Sequence, residues 1–352
     1  MDKIKAVFIF ALSALMLVLS AAGLPNEQEA QNGKIEIIKP LQEDSVEEEQ
    51  KQEEQAEQKE DTREEQSEQQ KEPLEQEKSV RKIKVLTDGA VMEMDLEEYI
   101  VQVVAGEVYP TFEPEALKAQ AVAARTYLMY KINGGGCSRG GDVCTDYAHC
   151  QAFKSFDKML AEWKGNYQKY LSSIQQAVNE TEGEIIKYNG APICALYHSS
   201  SVDKTEDCVS VFGGNHPYLV SVESPIGEQE YSKTVTFTKN EFIEKVNKAF
   251  NLKLEGIDIK IVSRTSAGRV GTVKLGDKSV KATALRTALS LRSTDFVFEK
   301  DSESITFTVY GYGHGVGMSQ QGAQLMAKEG KTYKEILTHY YTGTTVEQMD
   351  IS

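Results

Sequence analysis

The patterning of this 352-residue chain predicts an α+β domain preceded by a membrane anchor and a disordered linker. Three observations carry the prediction. Residues 1–26 join Lys3 and Lys5 to a predominantly apolar run at 6–24. Residues 27–79 are dominated by Glu and Gln, a composition that buries too little apolar surface to fold. From residue 80 onward, short stretches alternating at period two are interleaved with stretches whose apolar residues recur at i, i+3 and i+4. With 40% hydrophobic residues, the chain can fill a core.

The leader reads as an export signal. The 19 residues of its predominantly apolar run approach the roughly 20 that span a bilayer, and Ser20 and Ala22 supply the small residues of a signal-peptidase site. Anchor and cleaved signal both remain open, with the anchor favoured. The formal charge of −15 is unevenly spread: 16 acidic and 5 basic residues at 42–79 leave −11 there and −4 elsewhere. A near-neutral domain on an acidic linker lacks the basic surface that nucleic acid requires. About 50 residues of charged coil reach roughly 40 Å or more, which suits a tether between a membrane and a target outside it.

The folded domain, 80–352, opens with "IKVL", a turn at Asp88 and Gly89, and "VMEM", a strand pair. Asp95 with Glu98 forms a capping-box pattern ahead of a helix striped by Tyr99, Ile100, Val103 and Val104, and Pro110 follows its end. Glu107 lies at that end on the apolar face. Apolar neighbours and the negative pole of the helix both disfavour its ionised form and raise its pKa, as a general acid at neutral pH requires. An ordinary exposed Glu at a frayed helix end is the competing reading. Pro114 starts a second helix, stopped at Asn133 and Gly134, with Leu117, Ala121, Ala124 and Leu128 as its stripe. Lys118 and Arg125 share another face. They are either solvated charges or, if they face Glu107, groups that orient a polar substrate.

"GYGHGVGMSQ" sets glycine at 311, 313, 315 and 317 around His314. If extended, it presents one face without side chains, open to another element or a flat ligand. A phosphate loop is disfavoured because no "GK[ST]" follows. Ser319 caps a further helix, and Thr332 with Glu335 opens another as a capping box. Tyr340 and Tyr341 at its end either stack on a sugar or pack in the core. The stretch from Tyr197 to Pro225 reads as strand, polar loop, strand. His198 beside three serines lacks a "GxSxG" elbow and a clear acidic partner, so hydrogen bonding to substrate is preferred over nucleophilic catalysis. Residues 240–300 read as a smaller α+β lobe, with a helical stripe at Phe242, Ile243, Val246 and Phe250 and a hairpin of "IDIKIVS" with "VGTVKL".

Cys137, Cys144, His149 and Cys150 provide the four N and S ligands of a closed structural zinc site. Their spacing is irregular, and one disulfide plus a free thiol is the alternative in an exported chain. Cys194 and Cys208 are either a disulfide or two buried thiols.

Three sets of blocks, "AGEVYP…EPEALKAQAVAARTY", "LYHSSSVDKTED" with "FGGNHPYLVSVESP", and "GYGHGVGMSQQGAQLMAKEGKTYKEILTHYYTG", resemble those of the stage II sporulation protein D family of peptidoglycan lytic transglycosylases. The resemblance covers nearly all of 80–345. It implies two lobes forming a glycan-binding groove, Glu107 as the single catalytic acid, and substrate contacts from Lys118 and Arg125, with His314 and Gln320 near the groove. Within the same blocks Tyr197, His198, Ser199, Tyr218 and Tyr340 are candidate substrate contacts. The chain departs from many relatives in having Val202 and Asp203 where small glycines follow "HSSS". The implied reaction cleaves the bond between N-acetylmuramic acid and N-acetylglucosamine in glycan strands, including strands stripped of stem peptides, and leaves 1,6-anhydro ends. The implied setting is spore engulfment, in a single-pass cell-membrane protein with its domain on the extracytoplasmic side, partnered by a sporulation amidase and a membrane scaffold protein. Three rivals stand beside it: a muramidase using Asp146 or Glu206 as a second acid, a non-catalytic wall-binding protein that stimulates an amidase, and a zinc amidase or peptidase.

Overall fold

The computed structural model describes residues 81–225 and 231–349, so the expected anchor and linker lie outside the described residues. No helix among those residues is long and apolar enough to cross a membrane. The described part is α+β, with nine helices of five or more residues and several small sheets.

The first layer starts as a hairpin of β1 (Lys82–Thr87) and β2 (Ala90–Asp95). Asp88 and Gly89 both take positive φ, 49° and 82°, the turn that matches the twist of paired strands. Asp95 then accepts the Glu98 N–H and starts α1 (Leu96–Glu107). Tyr99, Ile100, Val103 and Val104 are fully enclosed, as their spacing predicts. They pack with Leu117, Ala121, Ala124 and Leu128 of α2 (Pro114–Asn133). The short β3 (Val143–Cys144) runs parallel to β1. Beyond it, α3 (Phe156–Trp163) and α4 (Tyr167–Glu180) close this core, α4 through Ile174 and Val178.

The opposite face of α2 is buried as well. Ala119, Val122 and Ala123 belong to a second core, which explains the alanine richness of the helix: small side chains let elements approach from both sides. This core is completed by the end of the chain. It draws on β4 (Glu184–Tyr188), Ile193 directly after β5 (Ala191–Pro192), β6 (Tyr197–His198) and α5 (Cys208–Phe212). The expected strand–loop–strand at 197–225 is thus only partly formed. A two-residue β6 is followed by α5, whose N-cap Asp207 accepts the Val209 N–H, and an isolated Lys204–Glu223 bridge replaces the second strand.

A third core gathers Phe242, Val246, Val273, Leu285, Phe296, Phe307 and their neighbours. Its elements are β7 (Ser232–Thr238), α6 (Lys239–Phe250), β8 (Ile259–Arg264), β9 (Val270–Leu275), β10 (Lys278–Lys281), α7 (Ala282–Leu289), β11 (Phe296–Lys300) and β12 (Ser304–Tyr310). The lobe is wider than 240–300 because β7 and β12 pair along seven residues, a long-range register invisible to local patterning. The chain then returns through β13 (Met318–Ser319), parallel to β6, into α8 (Gln320–Lys328), α9 (Tyr333–Tyr340) and β14 (Thr345–Gln348). The β13–β6 pairing sets Met318 against Tyr197 and Ser319 against His198, and Tyr197 and Gln320, directly after Ser319, both reach Glu107 at the end of α1.

Candidate active site

Glu107 ends α1, and the backbone of residues 152–153 lies against that last turn. The approach needs Gly106: a Cβ there would meet the Phe153 nitrogen at 2.9 Å and the Ala152 carbonyl carbon at 3.0 Å. The contact delivers the Ala152 N–H to Glu107 Oε1 at 2.7 Å. The Tyr197 hydroxyl donates to the same oxygen at 3.3 Å, and Gln320 Nε2 donates to Oε2 at 3.3 Å. A further layer fixes these donors. Gln151 Oε1, 2.8 Å from the Tyr197 hydroxyl, shares that hydroxyl's single proton with Glu107, Gln151 Nε2 donates to the Tyr99 hydroxyl, and Gln320 also donates to Gln120 Oε1.

Burial raises the Glu107 pKa, and the three hydrogen bonds from Ala152, Gln320 and Tyr197 pull against it without cancelling it. The ionised form is therefore disfavoured, with one rigid backbone donor and two side-chain donors around the carboxyl. That suits proton donation followed by proton acceptance.

Lys118 and Arg125 lie elsewhere. Arg125 is fully enclosed, its Nε and Nη2 donating to Glu97 at 2.8 and 2.6 Å and its Nη1 to the Glu184 carbonyl at 3.1 Å. A guanidinium with no exposed face cannot touch a glycan, so the substrate role expected of Arg125 gives way to a structural one. It joins α1 to α2 and β4. Lys118 pairs with Glu115 at 2.9 Å and Glu180 at 2.6 Å and lines a cavity of about 340 Å³ between α2 and α4. Neither cation makes a contact with Glu107, so neither opposes its raised pKa.

The remaining candidates divide by burial. Tyr197 and Gln320 touch Glu107. Tyr340 is 0% exposed and Tyr218 is 7% exposed, and the Tyr218 hydroxyl is used by the Cys194 N–H and by His216. Both belong to the second core, where the size and flatness of tyrosine fill space, and neither offers a face to a sugar. His198 is enclosed too. Its Nδ1 faces the Val316 carbonyl, its Nε2 lies 2.5 Å from Ser201 Oγ, and Arg269 Nη2 donates to that same hydroxyl. Burial, with His314 and Arg269 nearby, pushes the His198 pKa well down. No carboxylate orders this histidine, and Ser201 is fully buried, so a nucleophilic serine is unsupported. Ser199 is half-buried. His314 is partly open, its pKa pushed down to about 4 by burial and by Arg286 and Arg269.

The glycine ribbon serves the protein rather than a ligand. Gly311, Gly313, Gly315 and Gly317 all have positive φ, between 66° and 113°, so the run is a series of left-handed kinks and not a strand. A Cβ at Gly311 would lie 2.6 Å from the Ser200 carbonyl, at Gly313 2.8 Å from His198 Cβ, and at Gly315 2.7 Å from the Arg269 guanidinium. The bare face admits residues 196–201 and Arg269. Asp203 answers the departure at "SVD": with φ 57° it takes the left-handed conformation a glycine would supply, which Asp tolerates better than most residues.

Cys137, Cys144, His149 and Cys150 converge. His149 Nδ1 is 3.5, 3.3 and 3.5 Å from the three sulfurs, and Cys137 and Cys150 sulfurs are 3.9 Å apart. A tetrahedral ion with bonds of about 2.3 Å to sulfur and about 2.0 Å to nitrogen spaces its ligands roughly 3.8 Å and 3.5 Å apart. The cluster fits, and it could hold a metal ion. Ser138 Oγ, 3.2 Å from Nε2, orients the imidazole from behind. All five cysteines are free of disulfides, and burial pushes the Cys194 thiol up to about 11. Cys150 directly precedes Gln151 and Ala152, so the cluster anchors the segment that holds Glu107.

Sequence reasoning missed Gly106, Gln120, Gln151 and Ala152. Only Gly106 left a signal, as the glycine directly before Glu107. The other three act through contacts that the fold alone creates.

Sequence comparisons show what this chain is similar to. The family described as "SpoIID: Stage II sporulation protein" matches residues 87–188, which include Glu107 and the metal cluster. Stage II sporulation protein D of Bacillus subtilis (strain 168) is 39% identical over 267 residues, 74% of this chain and 77% of that protein. Its counterpart in Bacillus amyloliquefaciens is 38% identical over the same length. The amidase enhancer of Bacillus subtilis is 29% identical over 298 residues, 39% of its own length. With identity at this level running over three quarters of full-length relatives and through the segment that builds the Glu107 site, the chain belongs to the stage II sporulation protein D family.

Proposed function

We propose that the protein is a membrane-anchored lytic transglycosylase that cuts peptidoglycan glycan strands during sporulation. The observation that carries this reading is one carboxyl, Glu107, whose pKa is raised by burial and which has three donors around it. A hydrolase working by two carboxylates needs a second one across the scissile bond. Neither alternative acid serves. Asp146 is exposed and paired with Arg139 at 2.6 Å beside the metal cluster. Glu206 is buried and accepts from the Asp207 N–H and the Thr265 hydroxyl.

With one carboxyl, the nucleophile comes from the substrate. Glu107 gives its proton to the glycosidic oxygen as the bond from muramyl C1 to that oxygen breaks. The resulting carboxylate takes the proton of the muramyl 6-hydroxyl as its oxygen bonds to C1, closing the anhydro ring and restoring the acid. No water is consumed. Tyr197 and Gln320 steady the carboxyl in both states, and Ala152 fixes its rotamer. Zinc is the ion that three thiolates and one imidazole suit best, and four protein ligands make its role structural. When bound, it would stiffen residues 150–152 behind Glu107.

Likeness to the amidase enhancer supports a second reading, a wall-binding protein that stimulates an amidase partner without cutting glycan. Product analysis separates the two. Purified chain, wild type and Glu107→Gln, is incubated with glycan strands carrying and lacking stem peptides. Anhydro-ended fragments from wild type alone are expected. Reducing ends would move the assignment to a muramidase, and retention on strands without fragments would favour the amidase-stimulating role.

A further inference from the structure

Among the exposed aromatic side chains, Phe212 is 56% exposed and Tyr312 is 51% exposed. Exposed rings of this size are costly to leave in water and mark binding surfaces when they sit on a rigid support. Both are supported. Phe212 ends α5 and meets the edge of His314, centroids 5.3 Å apart at 66°. Tyr312 exchanges both main-chain hydrogen bonds with Ser200, at 2.9 and 3.0 Å, and carries the Arg292 guanidinium 5.5 Å from its ring centre.

The support leads back to the chemistry. His314 lies 5.6 Å from His198 with the rings tilted at 54°, and its ring is hydrogen-bonded to the Tyr197 backbone. The Tyr197 hydroxyl is bonded to Glu107. Contacts therefore link Phe212 through His314 and Tyr197 to Glu107. Tyr340, expected to stack on sugar, is sealed in the core, so a glycan needs its aromatic platform from another residue.

We propose that Phe212 is a sugar-stacking subsite of this enzyme, receiving the C–H face of an N-acetylhexosamine ring in the strand that is cut at Glu107. The inference rests on the glycan-cleaving reading above. A pyranose presents polarised C–H groups on one face, and the negative face of an aromatic ring meets them while excluding water. Phe212 loses little side-chain freedom on binding, because His314 already holds it.

The test uses the full chain carrying Glu107→Gln, which binds without cutting, and measures calorimetric affinity for chitotetraose and for stem-peptide-free glycan strands. Adding Phe212→Ala is expected to weaken both by about tenfold, Phe212→Leu to weaken both similarly although it keeps the apolar volume, and Phe212→Trp to retain affinity. Val262→Ala, which trims an equally exposed apolar residue on β8, is expected to change nothing. Because the Phe212 ring is half in solvent, all variants are expected to melt together. Equal affinity with and without the Phe212 ring, while Glu107→Gln still binds, overturns the subsite alone. No binding of either glycan by Glu107→Gln overturns the glycan reading and the subsite with it.

Discussion

Replacing Arg125 separates a structural role from a substrate role. The guanidinium is wholly enclosed and makes two short bonds to Glu97 and one to the Glu184 carbonyl. Arg125→Ala strands the Glu97 carboxylate and the carbonyl and leaves a cavity the size of the side chain. Removing one partner of a buried pair costs about 3–5 kcal/mol. Glu97 keeps 21% of its side chain in solvent and a second donor in the Gly183 N–H, which sets the loss at the lower end, about 3 kcal/mol. In a domain of this size each kcal/mol moves the midpoint by about 2–4 °C, so a drop of about 6–12 °C is expected in a thermal melt of the full chain. Arg125→Met with Glu97→Leu replaces both partners by apolar groups and is expected to recover most of that loss. Glycan cleavage, measured well below the new midpoint, is expected to keep its KM. A variant that melts with wild type but raises KM would refute the structural account and return Arg125 to the substrate.

Other expectations follow from the same geometry. Gly106→Ala, favourable for the helix by itself at about 0.5–1 kcal/mol, forces residues 152–153 away from α1. With the Ala152 bond weakened, the ionised carboxyl loses a stabilising donor, and the high-pH limb of the cleavage profile should move up; an unmoved limb would show that the bond does not tune Glu107. Burial makes the folded protein hold the Glu107 proton more tightly than the unfolded chain does. The stability from this group is thus present below the unfolded carboxyl pKa and lost as pH rises through the folded one. Glu107→Gln should therefore melt above wild type at neutral pH and converge with it in acid, and a pH-independent gap would contradict the shift. Elemental analysis is expected to find one zinc ion per wild-type chain and less in Cys150→Ser, with the segment at 150–152 destabilised; equal metal content and unchanged melting in the two would remove the cluster from the account.

Much of the fold was legible in the chain. Capping residues Asp95, Ser319 and Thr332, the stop at Gly134 and the enclosed stripe of α1 act within one or two turns, where sequence distance equals spatial distance. The convergence of Cys137, Cys144, His149 and Cys150 was legible for the same reason, since 14 residues with two glycines cannot travel far. Glu107 stood out because a carboxyl on an apolar face is a local contradiction. Tertiary structure alone decided what surrounds it. Gln320 is 213 residues away in sequence, and the donor on Ala152 is a backbone group no residue type announces. It also decided that both faces of α2 are covered, which turned Arg125 from a surface cation into a buried strut, and that the glycines at 311–317 accommodate the protein's own backbone. Period and composition say which side chains tolerate burial or close approach; only packing says what arrives there, because the partner comes from a distant part of the chain.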